Sequence, residues 1–288
     1  MAKARVSDFF SLVKFSHTLF ALPFAIVGFF LAYRITEAVF PIGKLLLVIL
    51  CMVFARSAAM GFNRYIDRKI DERNPRTANR EIPAGIISPA AALSFVIASC
   101  LLFLACTWFI NPLCFYLAPV ALAVILGYSL TKRFTALCHL VLGLGLSLAP
   151  IGAYLAVTGV FNLLPLLISC SVFLWVSGFD IIYALQDEEF DRSLKLHSIP
   201  AALGIKKALL LSVFLHILCG LLIVYTGFSG HFGLYYWIGT LVFLSLLTYQ
   251  HFLVKPNDLS KVNLAFFTTN GIASVVFGGF VVLDVLLH

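Results

Sequence analysis

Nine apolar runs separated by polar connections restrict this chain more than any other feature. They lie at about 18–34, 44–62, 88–110, 113–130, 135–157, 163–183, 205–227, 232–253 and 263–286. Most are near the length of about 20 residues that an α-helix needs to cross the hydrocarbon of a bilayer. With 61% apolar and 11% charged residues, the chain departs from soluble domains, which run at about 45–50% and 25%. A soluble fold would have to hide that apolar surface, whereas a bilayer solvates it. The expectation is an all-α polytopic membrane protein: about nine transmembrane helices in one bundle, forming a single domain over 1–288. The first run follows Lys3, Arg5 and Lys14 like a signal peptide, but it ends at Leu31-Ala-Tyr-Arg34 without a small-x-small cleavage site. It reads as the first membrane helix.

The connections alternate in charge. The turns near Asn111-Pro112, 158–162 and 228–231 carry no lysine or arginine. The connection at 63–87 holds Arg64, Arg68, Lys69, Arg73, Arg76 and Arg80, and that at 131–134 holds Lys132 and Arg133. Arg192 and Lys195 lie in 184–204, with Lys206 and Lys207 at the next helix start, and Lys255 and Lys261 in 254–262. Only Arg34 and Lys44 lie on the other side, while Arg56 sits inside the second run. The positive-inside rule then places the N-terminus and the charged connections in the cytoplasm. A bacterial-type inner membrane is the expected location. The net charge of +7 follows from this bias. No long basic tract suggests nucleic acid. The seven cysteines form no CxxC pair and the histidines no HxxxH pair, so neither disulfides nor a histidine-built metal site are expected.

Against this background the acidic residues are concentrated. Asp67, Asp71, Glu72, Glu81, Asp180, Asp187, Glu188, Glu189 and Asp191 are nine of thirteen. Asn63, Asp67 and Asp71 follow at i, i+4 and i+8, which drifts only about 40° per step and lines one side of a helix. Asp180, Tyr183, Asp187 and Asp191 fall at roughly 0°, 300°, 340° and 20° on a continuous helix. The two columns share their spacing: Asn63/Tyr183, Asp67/Asp187 and Asp71/Asp191 are each offset by 120 residues. Internal duplication and convergence both fit that match.

An aspartate at the bilayer centre costs about 2.5–3.5 kcal/mol, and facing carboxylates raise one another's pKa. A divalent cation removes the conflict. Magnesium takes one or two carboxylates and fills its octahedron with water and phosphate oxygens, so a diphosphate is the natural guest of two such columns. The basic residues of the same connections would assist as the ester C–O bond breaks. The bland alternative is a set of solvated helix ends pairing with one another. A cation- or proton-coupled transporter is another, although transporter sites sit near the midplane and these columns sit at helix ends. The compact DxxDG…GxxxDxxxD run of membrane alcohol phosphotransferases is absent.

NxxxDxxxD at Asn63–Asp71, continued by Asn74-Pro75-Arg76-Thr77 and Arg80-Glu-Ile-Pro83-Ala-Gly85, resembles the first signature of the UbiA family of intramembrane aromatic prenyltransferases. DxxYxxxDxxxD at Asp180, Tyr183, Asp187 and Asp191 resembles the second, and Tyr128-Ser-Leu-Thr-Lys132-Arg133 resembles the YxxxK element between them. The likeness spans essentially the whole chain. It implies transfer of a polyprenyl group from polyprenyl diphosphate to an aromatic acid in quinone biosynthesis, with Mg2+ as cofactor and a central cavity open to the cytoplasmic side. It implies that Asn63, Asp67, Asp71, Asp187 and Asp191 bind magnesium and diphosphate. Lys132 and Arg80 would contact diphosphate oxygens, Tyr128 would stabilise the ionising prenyl group, and Asp180 and Tyr183 would line a deeper pocket. Residues 72–87 would cap the site, and phenylalanines would line a prenyl tunnel or simply pack. Where many members read glycine-x-lysine-serine, this chain has Lys195-Leu-His197-Ser198-Ile199-Pro200. His197 is then either a diphosphate contact or a loop cap. The His-Ser-Ile-Pro form resembles the branch acting on benzoate-type acceptors, which makes 4-hydroxybenzoate the expected acceptor; naphthoate, a menaquinone precursor and haem are the alternatives. Lys14 and His17 fall where an acceptor carboxylate could be recognised.

Overall fold

The computed structural model describes residues 5–13, 20–36 and 40–287. In chain order these form α1 Val6–Val13, α2 Leu22–Thr36, α3 Ile42–Asp71, α4 Pro89–Ile110, α5 Pro112–Thr131, α6 Cys138–Thr158 and α7 Leu163–Ala184. Then follow α8 Glu188–Ser193, α9 Ile199–Leu203, α10 Ile205–Ser229, α11 Leu234–Leu253 and α12 Asn270–Leu287. A 3₁₀ turn at Leu185–Asp187 joins α7 to α8, and a π turn at Leu264–Thr269 precedes α12.

Every expected apolar run falls on a helix, but the span count differs from expectation. Among the described residues, seven helices are long and apolar enough to cross a membrane: α3, α4, α5, α6, α7 extended to Ser193, α10, and Leu264–Leu287. The shorter apolar helix α2 has 15 residues. Although α11 has 20 residues, Thr240, Ser245, Thr248, Gln250 and His251 dilute its apolar character. Among the described residues, then, seven helices rather than nine meet that length and composition. Lys14 and His17 lie outside the described residues.

The turns obey local chemistry. Asn111 caps α5 by accepting from the Cys114 N–H at 2.8 Å, with Pro112 at the first helical position, where a missing N–H costs nothing. Ser88 and Asn162 cap α4 and α7 in the same way. Gly159, at φ +68°, ends α6 in the left-handed conformation that glycine adopts without strain. Short capped turns keep successive helices antiparallel neighbours, and α3/α4, α6/α7, α7/α10, α2/α6 and α11/α12 are major packing pairs.

Small residues permit the closest approaches. A Cβ on Gly28 of α2 would lie 2.0 Å from the Pro150 carbonyl oxygen of α6, and one on Gly143 of α6 would lie 2.2 Å from Ser177 Oγ of α7. Membrane helices pack by such contacts because lipid gives no hydrophobic drive between them. At the centre stands α7. With its extension to Ser193 it has 61% of its apolar window buried, against 17% for α3. Its Trp175 and Phe179 meet Phe24, Phe243 and Phe266 in a fully buried aromatic cluster. Those rings serve packing, while Phe109, Phe228 and Phe252 are exposed.

Two helix irregularities were not expected. The 3₁₀ turn at Leu185–Asp187 tightens the chain to about three residues per turn, so Asp187 and Asp191 do not continue the face of Asp180 and Tyr183 at 100° spacing. At the other, the Asn270 amide donates to the Ala265 and Phe266 carbonyls at 2.9 and 3.1 Å, occupying oxygens within the π turn.

Candidate active site

The first column stands on the last turns of α3. Asp67 and Asp71 are buried, at 2% and 4% exposure, and Asn63 is partly buried. Burial of two carboxylates demands partners, and the charged connections supply them. Asp67 accepts from Lys132 Nζ at 2.7 Å, Arg133 Nη2 at 2.8 Å and Asn63 Nδ2 at 3.1 Å. Asp71 accepts from Arg80 Nη1 at 2.7 Å through Oδ1, while its Oδ2 is buried without a hydrogen-bond partner. Arg133 also donates to the carbonyls of Ser129 and Ile66, at 2.8 and 3.1 Å, and so locks the end of α5 against α3.

The second column meets the first through residues 72–87. Asn74 Nδ2 donates to Asp187 Oδ1 at 3.0 Å, and Arg76 forks onto both oxygens of Asp187. The same guanidinium donates to the Tyr183 hydroxyl at 2.9 Å and lies over the Tyr183 ring. Burial works against the Arg76 charge, but the Asp187 carboxylate and Tyr183 more than offset it and raise its pKa above the usual guanidinium value. Such forked pairs fix geometry as well as charge. These two bonds also hold Asp187 in the 3₁₀ turn. Asp191 is partly buried and lies within electrostatic reach of Asp187, Lys132 and His139. The columns therefore face one mouth, with Lys132 between Asp67 and Asp191.

Deeper, Tyr128 of α5 lies within electrostatic reach of Arg64, Asp180 and Asp67. Arg64 is 4% exposed; its Nη1 donates to Asn63 Oδ1 at 3.4 Å, but its Nε is buried without a partner. Arg56, two turns earlier on α3, donates to the Val13 carbonyl at 3.4 Å and also reaches Tyr128 electrostatically. Tyr183 stacks on Phe266, with ring centroids 4.1 Å apart.

Asn63, Asp67, Asp71, Arg80, Lys132, Asp187, Asp191 and Tyr183 thus converge, and Tyr128 and Asp180 lie further in. The His197 side chain is exposed; its backbone N–H donates to the Lys132 carbonyl at 2.7 Å, which makes it a loop anchor. Among the described residues, no three Asp, Glu, His or Cys side chains form a ready metal cluster. That suits magnesium, which needs only one or two carboxylates beside water and phosphate. The orphaned Asp71 Oδ2 and the cations already seated on Asp67, Asp71 and Asp187 mark where positive charge is wanted. Sequence reasoning placed Asn74 in the first motif without giving it a role, and it missed His139, whose Nδ1 lies 2.7 Å from Asp180 Oδ2. The available signal was a titratable side chain inside an apolar run, which is costly enough to need a reason.

Comparison with known proteins agrees with this architecture. The profile of the UbiA prenyltransferase family matches residues 21–272. The 4-hydroxybenzoate octaprenyltransferase of Aliivibrio fischeri (strain MJ11) is 32% identical over 235 residues, 81% of each chain. That of Tolumonas auensis is 29% identical over 249 residues, 86% of this chain and 87% of its own. Among solved structures, the apo form of a UbiA homolog from Aeropyrum pernix K1 superposes with a TM-score of 0.84 at 31% identity, covering 93% of this chain and 98% of that one. A UbiA homolog from Archaeoglobus fulgidus bound to DMAPP and Mg2+ shares the fold, with a TM-score of 0.77 at 21% identity over 98% of this chain and all of that one. This protein is a prenyltransferase, and the chain belongs to the UbiA prenyltransferase family.

Proposed function

We propose that the protein transfers a polyprenyl group from polyprenyl diphosphate to a ring carbon of an aromatic acid, with 4-hydroxybenzoate as the first acceptor. One observation carries this reading: two acidic segments, 120 residues apart in sequence, face one mouth, and Lys132, Arg133, Arg80 and Arg76 interleave with Asp67, Asp71 and Asp187. Such an alternating arrangement of carboxylates and cations fits a polyanion held together with divalent metal. The acceptor comes from the relatives named above, and the A. fulgidus protein bound to DMAPP and Mg2+ has the same fold.

Asn63, Asp67 and Asp71 from one side, and Asp187 and Asp191 from the other, are the residues that would hold magnesium. When bound, Mg2+ would neutralise charge developing on the diphosphate as the ester C–O bond breaks. Lys132, Arg133, Arg80 and Arg76 would turn from the carboxylates to the diphosphate oxygens. The electron pair of the broken bond leaves with the diphosphate, and the prenyl carbon becomes an allylic cation. Tyr128 would sit beside that cation, whose charge an aromatic face attracts. The ring carbon ortho to the acceptor hydroxyl attacks, and the ring proton then passes to the released diphosphate, which restores aromaticity. Arg64, near Tyr128 and with no carboxylate hydrogen-bonded to it among the described residues, suits the carboxylate of an aromatic acid. Asp180 would accept from the acceptor hydroxyl.

A long prenyl tail explains a membrane enzyme, since each buried CH₂ favours the apolar phase by about 0.8 kcal/mol. The lysine and arginine bias supports a diphosphate mouth on the cytoplasmic side, and the bacterial relatives support an inner-membrane location. The test is incubation of purified protein with Mg2+, labelled polyprenyl diphosphate and a panel of aromatic acids. A prenylated acid is the expected product. No transfer to any acid, together with ion flux through protein-loaded liposomes lacking prenyl diphosphate, would reject the reading in favour of a transporter.

A further inference from the structure

His139 is the second residue of α6, and its side chain is 4% exposed. Its two ring nitrogens have different partners. Nδ1 lies 2.7 Å from Asp180 Oδ2, and the backbone N–H of Ile199 points at Nε2 over 3.3 Å. An amide N–H only donates, so Nε2 must be bare, and the ring keeps its single proton on Nδ1. Nδ1–H therefore donates to Asp180. On this hydrogen-bond geometry the imidazole is neutral.

This sets Asp180 apart. Asp67, Asp71 and Asp187 each face a lysine or arginine, which can be exchanged for a metal ion. Asp180 instead faces a fixed neutral dipole that orients it without satisfying its charge. Its side chain remains 19% exposed, and no hydrogen bond reaches Oδ1 among the described residues. Ile199 opens α9 beside Ser198, whose side chain accepts from the Ala201 N–H at 3.3 Å. Two residues earlier, the His197 N–H is bonded to the Lys132 carbonyl at 2.7 Å. One loop backbone, 197–199, thus holds both the lysine at the mouth and the imidazole behind the deeper carboxylate.

We propose that His139 is a positioning residue: it fixes Asp180 so that the open carboxylate oxygen accepts a hydrogen bond from the hydroxyl of the aromatic acceptor. The role rests on the prenyl-transfer reading above. A hydroxyl hydrogen-bonded to an anion releases more electron density into its ring, at the ortho carbon that forms the new C–C bond. The proton lost afterwards is the ring proton at that carbon, which passes to the released diphosphate, and the hydroxyl keeps its own.

Two substitutions test this. His139→Leu removes both hydrogen bonds at similar volume. His139→Gln can donate to Asp180 through its amide N–H and accept from Ile199 through its carbonyl. Loss of an orienting partner of this kind costs about 10–100-fold. The expected result for His139→Leu is a loss of that size in kcat/KM for the acceptor, with KM for prenyl diphosphate within about twofold of wild type and substantial recovery in His139→Gln. In an Asp180→Asn background His139→Leu should cost nothing more, since the two act as one unit. Equal losses toward both substrates, or a glutamine variant no better than leucine, would overturn the role. The second measure is independent of turnover: ¹⁵N-histidine spectra of wild type minus His139→Gln should show Nδ1 protonated and Nε2 bare. A doubly protonated ring or an Nε2–H tautomer overturns the assignment of His139 alone. A wild-type protein that prenylates no aromatic acid overturns the function and this role together.

Discussion

Asp67→Asn removes one charge from the mouth while keeping its shape. Asp67 is 2% exposed, whereas its partners Lys132 and Arg133 retain 28% and 32% exposure. Breaking a fully buried pair costs about 3–5 kcal/mol. Here the released cations can turn to water, and the asparagine oxygen still accepts one bond, so a stability loss of about 1–2 kcal/mol is expected. At about 2–4 °C per kcal/mol the variant remains folded at assay temperature. Chemistry should suffer more. A metal ion that stabilises leaving-group charge is worth several kcal/mol. If about 4 kcal/mol of that passes through Asp67, kcat/KM falls roughly a thousandfold at 1.36 kcal/mol per decade. Transfer of a labelled prenyl group, titrated with Mg2+ in detergent, reads the chemistry, and thermal unfolding of the same sample reads the fold. A folded variant within tenfold of wild type, with an unchanged Mg2+ midpoint, would refute the clamp.

Other perturbations separate the site from the scaffold. Arg76→Ala frees Asp187 and Tyr183; since Arg76 is 32% exposed, it should cost under about 1 kcal/mol in stability but raise KM for prenyl diphosphate about tenfold or more in steady-state kinetics. Asp284 is fully buried and accepts from the Gly233 and Tyr236 N–H groups at 2.8 and 3.2 Å, at the start of α11. Asp284→Asn should lower Tm, at a cost of about 1–3 kcal/mol, while kcat at low temperature stays within about twofold, the reverse of Asp67→Asn. Gly143→Ala would set a methyl 2.7 Å from the Phe173 carbonyl as well as against Ser177 Oγ. Parting α6 from α7 should cost about 1–3 kcal/mol, and because His139 and Asp180 face each other across that pair, acceptor KM should rise along with the loss of Tm.

The bundle was legible because lipid leaves little choice. Apolar runs must be helices, and Asn111-Pro112, Asn162 and Gly159 announce their own turns. The mouth was legible because charge is scarce: Asp67, Asp71, Asp187 and Asp191 stand out where most neighbours are apolar. What lay hidden depends on pairing between segments far apart in sequence. Asn74 and Arg76 reach Asp187 across more than a hundred residues, and the motif that contains them does not say which carboxylate they meet. The 3₁₀ turn at Leu185–Asp187 was hidden for the same reason, since it goes with those distant bonds rather than with local propensity. His139 shows the limit most clearly. It has no acid within a helical turn, and only the packing of α6 on α7 brings it to Asp180.

The ion pairs also bear on how such a site is built into a membrane. Buried carboxylates without counter-charge would oppose insertion and folding, yet a metal site formed only with substrate cannot stabilise the protein beforehand. This chain resolves the conflict with its own cations. Lys132 and Arg133 seat on Asp67, Arg80 on Asp71 and Arg76 on Asp187, so the mouth is near neutral before substrate arrives. On the proposed function, binding would be an exchange rather than an addition: Asp67, Asp71 and Asp187 would hold metal, and Lys132, Arg133, Arg80 and Arg76 would move from them to the diphosphate. Each positive charge keeps an anionic partner throughout, so little desolvation is left uncompensated. The exchange would also involve residues 72–87, since Arg76 and Arg80, which hold Asp187 and Asp71, both lie in that segment. Asp180 stands outside this traffic. Its partner is a neutral imidazole fixed by a backbone N–H, which no metal needs to displace, and that is why it is suited to the acceptor rather than to the diphosphate.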